Sequence, residues 1–411
     1  MKACGIIAEY NPLHNGHVYH MEQARLLTGA DAVVVAMSGD YVQRGEPAII
    51  DKWIRTEHAL RCGADLVIEI PLLFCLGNAG QYAAAGVKLL ESIGKVSSIA
   101  FGSESDNAET LIRVAETLRD KEAEIESSIL KMHDKGLSYP ASRELAYVQL
   151  RAAMKGTEPD SDPDILSEIS LLDKPNAILA IEYVKAMRRA KPVVILRKGA
   201  GYGDSFDETA AYQSATAIRK LALDGKDTGQ YVPECTEEAL KTCHLTGPDI
   251  DKWFDALTYA VLSTDVETIE DCPSGGEGLA NLMKSSLSEA SSWTDFISGI
   301  KSRRYTYTRL SRLCMQLLLG ITRSKYDISG PEYIRVLGFN EKGRKLLAEM
   351  RDDESADLPV IINVNKVSGN LRKEALKLLE LDMHAADIYN LMTGEDISKG
   401  NEHRRTPVII E

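Results

Sequence analysis

No stretch of this chain offers some twenty consecutive apolar residues, which excludes a membrane-spanning helix. A signal-peptide pattern is also missing: Lys2 opens a short apolar run that reaches Glu9 without a small-residue cleavage site. None of the seven cysteines (Cys4, Cys62, Cys75, Cys235, Cys243, Cys272, Cys314) sits in a CxxC pair, and their odd number suggests reduced thiols in a cytoplasmic protein. Cys235 with Cys243-His244 fits the ligand spacing of no zinc finger or ribbon. No GxxxxGKS or GxxxxGKT occurs, so a P-loop cannot cradle phosphates here. Basic excess is absent as well, since 48 Lys and Arg face 61 Asp and Glu, a formal net charge of −13. That sum argues against broad attraction for nucleic acid, and DNA is not an expected partner. A local basic patch stays open.

What is present is alternation. Short apolar runs, expected as strands at 3–8, 32–37, 66–70, 98–101 and 193–196, are separated by amphipathic stretches such as 17–27, 52–61 and 81–93. The strands are apolar along nearly their whole length, as parallel strands covered on both faces must be. "TGADAVVVAM" and "CGADLVIEI" repeat one punctuation, a glycine (Gly29, Gly63) closing a helix before the next strand. Two such units imply βαβ crossovers, hence an α/β fold built on a doubly wound parallel sheet. After Arg219 the strand signals fade, and 231–392 reads mainly as helices, with one late β-like run at 358–364. We expect an α/β domain over 1–225, a mainly α-helical domain over 226–411, and a loose tail from Thr393.

The chemistry-bearing stretch is "IIAEYNPLHNGHVYH", where three of eight histidines fall within seven residues. His14-Asn15-Gly16-His17 lies at the junction of the first strand and the first helix. Ligands of open α/β sheets bind at the carboxyl ends of strands, and a helix N-terminus favours phosphate. Gly16 permits close backbone approach, and Pro12 fixes the turn before it. Two imidazoles three residues apart can donate to oxygens whose charge grows in a phosphoryl transition state. Ordinary turn histidines, or a metal pair lacking its carboxylate and cysteine partners, are the alternatives. His20, one turn on, reads as packed or solvated.

This HxGH resembles the nucleotidyltransferase superfamily, whose second signature matches "SATAIRK" with Ser214, Thr216 and Arg219. "YNPLHNGH", "SGDYVQRGEPAIIDKW", "FGSES", "LDKPNAILAIEY", "RKGAGYGD" and "RRYTYTRLSR" together look like the bacterial tRNA(Met) cytidine acetate ligases, over most of the chain. The resemblance implies activation of acetate by ATP, with Mg2+ accompanying the phosphates, and acetyl transfer to N4 of the wobble cytidine of elongator tRNA(Met). It implies catalytic roles for His14 and His17. It also implies ATP contacts from the 7–20 loop (Ile7, Asn11, Pro12, His14, Gly16, His17, His20) and from Gly102, Asn176, Arg197, Ser214 and Arg219. Each has a plainer alternative: a tight turn for Gly102, helix caps for Asn176 and Ser214, a surface ion pair for Arg197. The family often has a second asparagine where this chain has Ala177. "GAGYG" at 199–203 lacks the helix a dinucleotide fingerprint requires and reads as a loop. Gln43, Arg44 and Lys52 lie near the end of the second strand, where a cation could steer acetate or stabilise pyrophosphate, the alternative being surface salt bridges.

The segment 300–312 carries Lys301, Arg303, Arg304, Arg309 and Arg312 without an acid, interleaved with Tyr305 and Tyr307. Cations neutralise phosphate and tyrosines stack on unpaired bases, so this is the expected RNA-binding segment, the alternative being a solvated helix face. Lys342, Arg344 and Lys345 form a weaker cluster, Arg404 and Arg405 a third. Two rival functions remain at this point. One is an adenylyl- or cytidylyltransferase acting on a small phosphorylated metabolite; the other is a nucleotide-sensing RNA-binding protein without catalysis.

Overall fold

The computed structural model describes the chain except residues 105–106, 134–138, 159–160, 173, 198–211, 251, 303, 368–370, 396 and 398–401, and the side chains of 133, 139, 140 and 175. Among the described residues there are ten strands: β1 (Ala3–Ala8), β2 (Ala32–Ser38), β3 (Tyr41–Val42), β4 (Glu46–Pro47), β5 (Leu66–Ile70), β6 (Val96–Ser103), β7 (Lys191–Leu196), β8 (Ile334–Phe339), β9 (Val360–Ile361) and β10 (Val408–Ile409). Eight form one sheet in the order β10-β8-β5-β2-β1-β6-β7, with β9 beside β8; β3 and β4 form a separate hairpin. The five strands β5-β2-β1-β6-β7 are all parallel. The order reverses between β1 and β6, which is the topological switch point where such sheets hold ligands.

Alternation along the strands divides the core. Val34, Ala36 and Ile68 face one side, packing with Leu89 and Leu90 of the Ala79–Ser92 helix and Ile181 of the Pro175–Ala186 helix. Val33, Val35 and Val67 face the other, against Met21 and Ala24 of the Asn15–Thr28 helix and Leu60 of the Lys52–Arg61 helix. Both faces are covered, so the strands are apolar throughout. Gly29 closes the first helix at φ +59°, and Gly63 stands at φ +118° just past the second, both in the region that favours glycine.

The C-terminal part departs from expectation. The segment after residue 330 returns to the sheet: β8 pairs antiparallel with β5, while β9 and β10 share its far edge. The boundary at 225 therefore does not separate a finished α/β unit from a helical one. The helical cluster around Trp253, Trp293 and Phe296 shares the Lys373–Thr393 helix with the sheet, since Leu378 packs on one and Tyr389 on the other. The tail is tied down through Glu402, 2% exposed, which pairs with Lys52 at 3.1 Å and with Arg335, and accepts from Trp53 Nε1 at 3.1 Å. Buried charges survive only when paired, and here the pairing is between a tail residue and the core of the sheet domain.

Candidate active site

A cavity of about 250 Å3 opens at the switch point, walled by Ile7 of β1 and Glu9 just after it, Gly102 of β6, Arg197 after β7, and the start of the Ala215–Leu223 helix. Of the residues expected at a nucleotide site, Ile7, Asn11, His14, Gly16, His17, His20, Gly102, Asn176, Arg197, Ser214 and Arg219 all line it. Pro12 is not on its wall; it follows Asn11 through a cis peptide bond and leads into the helix.

The histidine pair is built by helix capping. His14 is extended (φ −136°, ψ 170°) and caps the Asn15–Thr28 helix, its Nδ1 accepting from Gly16 N at 3.1 Å. His17 Nδ1 in turn accepts from His14 N at 3.2 Å, so imidazoles make a reciprocal capping box. Both Nδ1 atoms being acceptors, each neutral ring carries its proton on Nε2. The rings stack with centroids 3.7 Å apart, and Tyr10 meets His17 edge-on at 4.9 Å. Gly16 is required by space: a Cβ there would lie 2.9 Å from His14 Cε1.

Burial first, then the charges of Arg197 and Arg219, pull the His14 imidazole down to about 3. Burial, followed by His14 and Arg197, lowers His17 well below its ordinary value. His20, with its Nε2 buried and unpartnered among the described residues, is lowered to about 4 by burial and then Arg197. All three rings are neutral at pH 7, and His14 and His17 offer Nε2–H donors without carrying charge.

Arg219 Nη1 donates to Asn11 O at 2.8 Å, and Asn11 Oδ1 accepts from Ile49 N at 2.8 Å. Asn11 thus holds the loop shape with its side-chain oxygen, while the Arg219 guanidinium is drawn against the histidine loop. Ser214 caps its helix, Oγ accepting from Ala217 N at 3.2 Å. Asn15 is fastened to 230–231, its N donating to Tyr231 O at 2.9 Å and its Nδ2 to Gln230 O at 3.1 Å. Across the cavity, Asn176 sits between Glu104 and Arg197. Ala177 is turned into the core at 1% exposure, so a second asparagine there would not face the cavity in this backbone.

Gln43 and Arg44 line the cavity, but Lys52 does not. Lys52 is 1% exposed and bound to Glu69 at 2.8 Å and Glu402, because its helix face turns toward the sheet rather than the strand ends. It is a structural cation. Residues that sequence reasoning passed over include Tyr10, Tyr82, Tyr183 and Tyr212 on the cavity wall. Tyr10 adjoins the histidine motif and could have been found there; the others carry no local signal. The 199–203 loop lies outside the described residues.

The expected RNA segment is split by the structure. Lys301 and Arg304 are exposed; Arg303 lies outside the described residues. Arg304 Nε pairs with Glu277 at 2.6 Å. Arg309 donates to Ser274 O at 3.2 Å and pairs with Glu277 at 3.2 Å, lying over the Tyr305 ring at 5.2 Å. Tyr307 begins the Tyr307–Leu318 helix and packs half-buried against the helical cluster. Arg312 is a correction: it is 9% exposed and reaches inward to Gln43 O at 3.3 Å. Its place on the helix puts it against the β3–β4 hairpin, where neighbouring Ser311 Oγ donates to Gly45 O at 2.8 Å. Burial, then Arg309, lowers its guanidinium to about 10. Of the weaker cluster, Lys345 pairs with Glu341 at 2.9 Å.

The HIGH nucleotidyl transferase family matches residues 1–404. The tRNA(Met) cytidine acetate ligases of Acetivibrio thermocellus and Clostridium novyi are 36% and 35% identical to this chain over 406 and 423 residues, spanning 95% and 100% of it and 94% and 100% of themselves. The chain belongs to the tRNA(Met) cytidine acetate ligase family. Its backbone is similar to that of Thermotoga maritima TmcAL, at 31% identity. The TM-score is 0.89 to the apo form, covering 100% of both chains, and 0.86 to the form bound with alpha-thio ATP, covering 100% of this chain and 99% of that one. Among the described residues no helix is long and apolar enough to cross a membrane.

Proposed function

We propose that this chain condenses acetate with ATP to acetyl-adenylate and passes the acetyl group to N4 of the wobble cytidine of elongator tRNA(Met). The observation that carries the reading is the stacked, neutral His14–His17 pair, each ring with its proton on Nε2, set at the switch point of the sheet. The family membership supports the acyl and RNA halves.

ATP lies along the strand ends, its phosphates over the N-terminus of the Asn15–Thr28 helix. An acetate oxygen attacks the α-phosphorus in line, the bond to the β-phosphate oxygen breaks, and pyrophosphate leaves. The Nε2–H groups of His14 and His17 donate to the oxygens that gain charge, and Arg219 balances the departing pyrophosphate. Catalysis is thus positioning and electrostatics, with no covalent enzyme intermediate. The N4 amine then attacks the acetyl carbon, loses a proton and displaces AMP. A wobble base is already unpaired, so presenting it costs little. Lys301, Arg303 and Arg304 are the proposed phosphate contacts, with Tyr305 beside them.

Among the described residues no group of three or more His, Cys, Asp or Glu can hold a metal, and Glu9 is the one carboxylate on the described cavity wall. Mg2+ would enter with the ATP substrate, held by its phosphates, and would supply charge neutralisation there.

Acetate-dependent ATP–pyrophosphate exchange, followed by mass spectrometry of added elongator tRNA(Met), tests the reading. Exchange together with N4-acetylcytidine is the expected result. Absence of exchange with any small carboxylate would overturn it in favour of nucleotidyl transfer to a small phosphorylated metabolite.

A further inference from the structure

Asn176 is gripped at both ends of its amide. Its Nδ2 donates to Glu104 Oε1, and its Oδ1 accepts from Arg197 Nη1 at 3.3 Å. A carboxylate only accepts and a guanidinium only donates, so the amide has one permitted orientation. A flipped amide would set its N–H groups against the guanidinium and its oxygen against the carboxylate. The orientation leaves the second Nδ2 hydrogen and the second Oδ1 lone pair as one donor and one acceptor side by side.

The sheet brings the three residues together. β6 and β7 end in register, Ser103 opposite Leu196, and Arg197 N continues the pairing by donating to Ser103 O at 2.9 Å. Glu104 and Arg197 thus leave neighbouring strand ends and meet across the start of the Pro175–Ala186 helix. Asn176 and Arg197 are on the cavity wall, and Glu104 is not among its lining residues. Its remaining oxygen, Oε2, is buried without a hydrogen-bond partner among the described residues.

We propose that Glu104 is a positioning residue for the nucleoside end of ATP, acting by holding the Asn176 amide in the orientation that offers adjacent donor and acceptor to base or ribose. This rests on reading the cavity as an ATP site. Glu104→Gln keeps the size of the side chain but lets it donate as well as accept, so the carboxylate's share of the selection is lost and only Arg197 still opposes the flipped amide.

The test titrates ATP, and separately tripolyphosphate, into the wild type, E104Q, N176A and the double variant by calorimetry. E104Q is expected to weaken ATP about tenfold, the scale of one charge-assisted hydrogen bond, and to leave tripolyphosphate affinity unchanged. In the N176A background E104Q is expected to add nothing. Unchanged ATP affinity in E104Q would overturn the proposal. So would an equal loss for tripolyphosphate, which marks a general disturbance of the cavity, or an additive loss with N176A, which means Glu104 works without Asn176. Failure of the wild type to bind ATP would overturn the reading of the cavity itself and is told apart because it involves no variant.

Discussion

The strand-end cavity and the basic segment at 300–312 were equally conspicuous as runs of letters, yet the fold treats them oppositely. In the cavity, residues separated by more than two hundred positions converge, as when Arg219 donates to Asn11 O. In the basic segment, residues within a dozen positions diverge: Lys301 and Arg304 face solvent, Arg309 is absorbed by Ser274 and Glu277, and Arg312 turns inward. The difference teaches that a motif tied to backbone geometry reports a place, whereas a motif made of charge reports only composition. HxGH needs a strand end, a helix start and a glycine, and those three features leave one arrangement. A cationic run on a helix is sorted by which side of the helix faces the core.

The comparison is broken most forcefully at the histidines. Replacing both His14 and His17 by Ala should lower acetate-dependent ATP–pyrophosphate exchange by about 10^3-fold or more, with the circular dichroism spectrum kept. Retained exchange would show that the pair is only a cap. Next comes Gly16→Ala, whose Cβ would press on the His14 ring. Displacing a positioned donor should cost about 10–100-fold in exchange while ATP still binds, and an unaffected rate would mean that ring position does not matter.

The basic segment is sharpened by a pair of variants. Arg312→Ala should destabilise the fold by about 1–3 kcal/mol in denaturant titration, because Gln43 O loses its partner and the buried guanidinium its packing. Arg304→Ala should leave stability unchanged, weaken tRNA binding a few-fold and reduce the salt slope of binding by about 1. Reversed results would return Arg312 to the RNA surface.

The smallest effect concerns pH. His20 titrates near about 4 in the folded chain against an ordinary value of 6.5, so between those values the unfolded chain binds more protons. Stability from this group is therefore present above about 6.5 and lost as pH falls toward 4. His20→Asn should show a smaller drop in Tm between pH 7 and pH 5 than the wild type. An identical drop would place the proton uptake elsewhere, for example at His58, also lowered to about 4 by burial.

Much of the sheet was legible. The runs expected at 3–8 and 66–70 match β1 and β5, and 32–37, 98–101 and 193–196 fall inside β2, β6 and β7. Buried parallel strands have to be apolar on both faces, and glycines have to close the helices between them, so pattern and structure coincide. The strand β8 was not legible. "IRVLGF" is a six-residue run, apolar but for Arg335, set among helices, and periodicity cannot distinguish a short buried strand from a helix turn. The tail was misread as loose because its anchors, Glu402 and the two-residue strand β10, find their partners Lys52, Arg335 and β8 far away in the chain. Lys52 itself looked available to a ligand for the same reason.

By itself, the sequence determined the parallel strands, the helices that link them and the histidine loop at the end of the first strand. These depend on local rules: short runs apolar on both faces, helix capping and the conformational freedom of glycine. Only the tertiary structure decided which cations stay exposed, which strands of the C-terminal part complete the sheet, and which orientation Asn176 takes between Glu104 and Arg197. Those outcomes depend on partners brought together from distant parts of the chain, and pairing across such separations leaves no periodic signal to read.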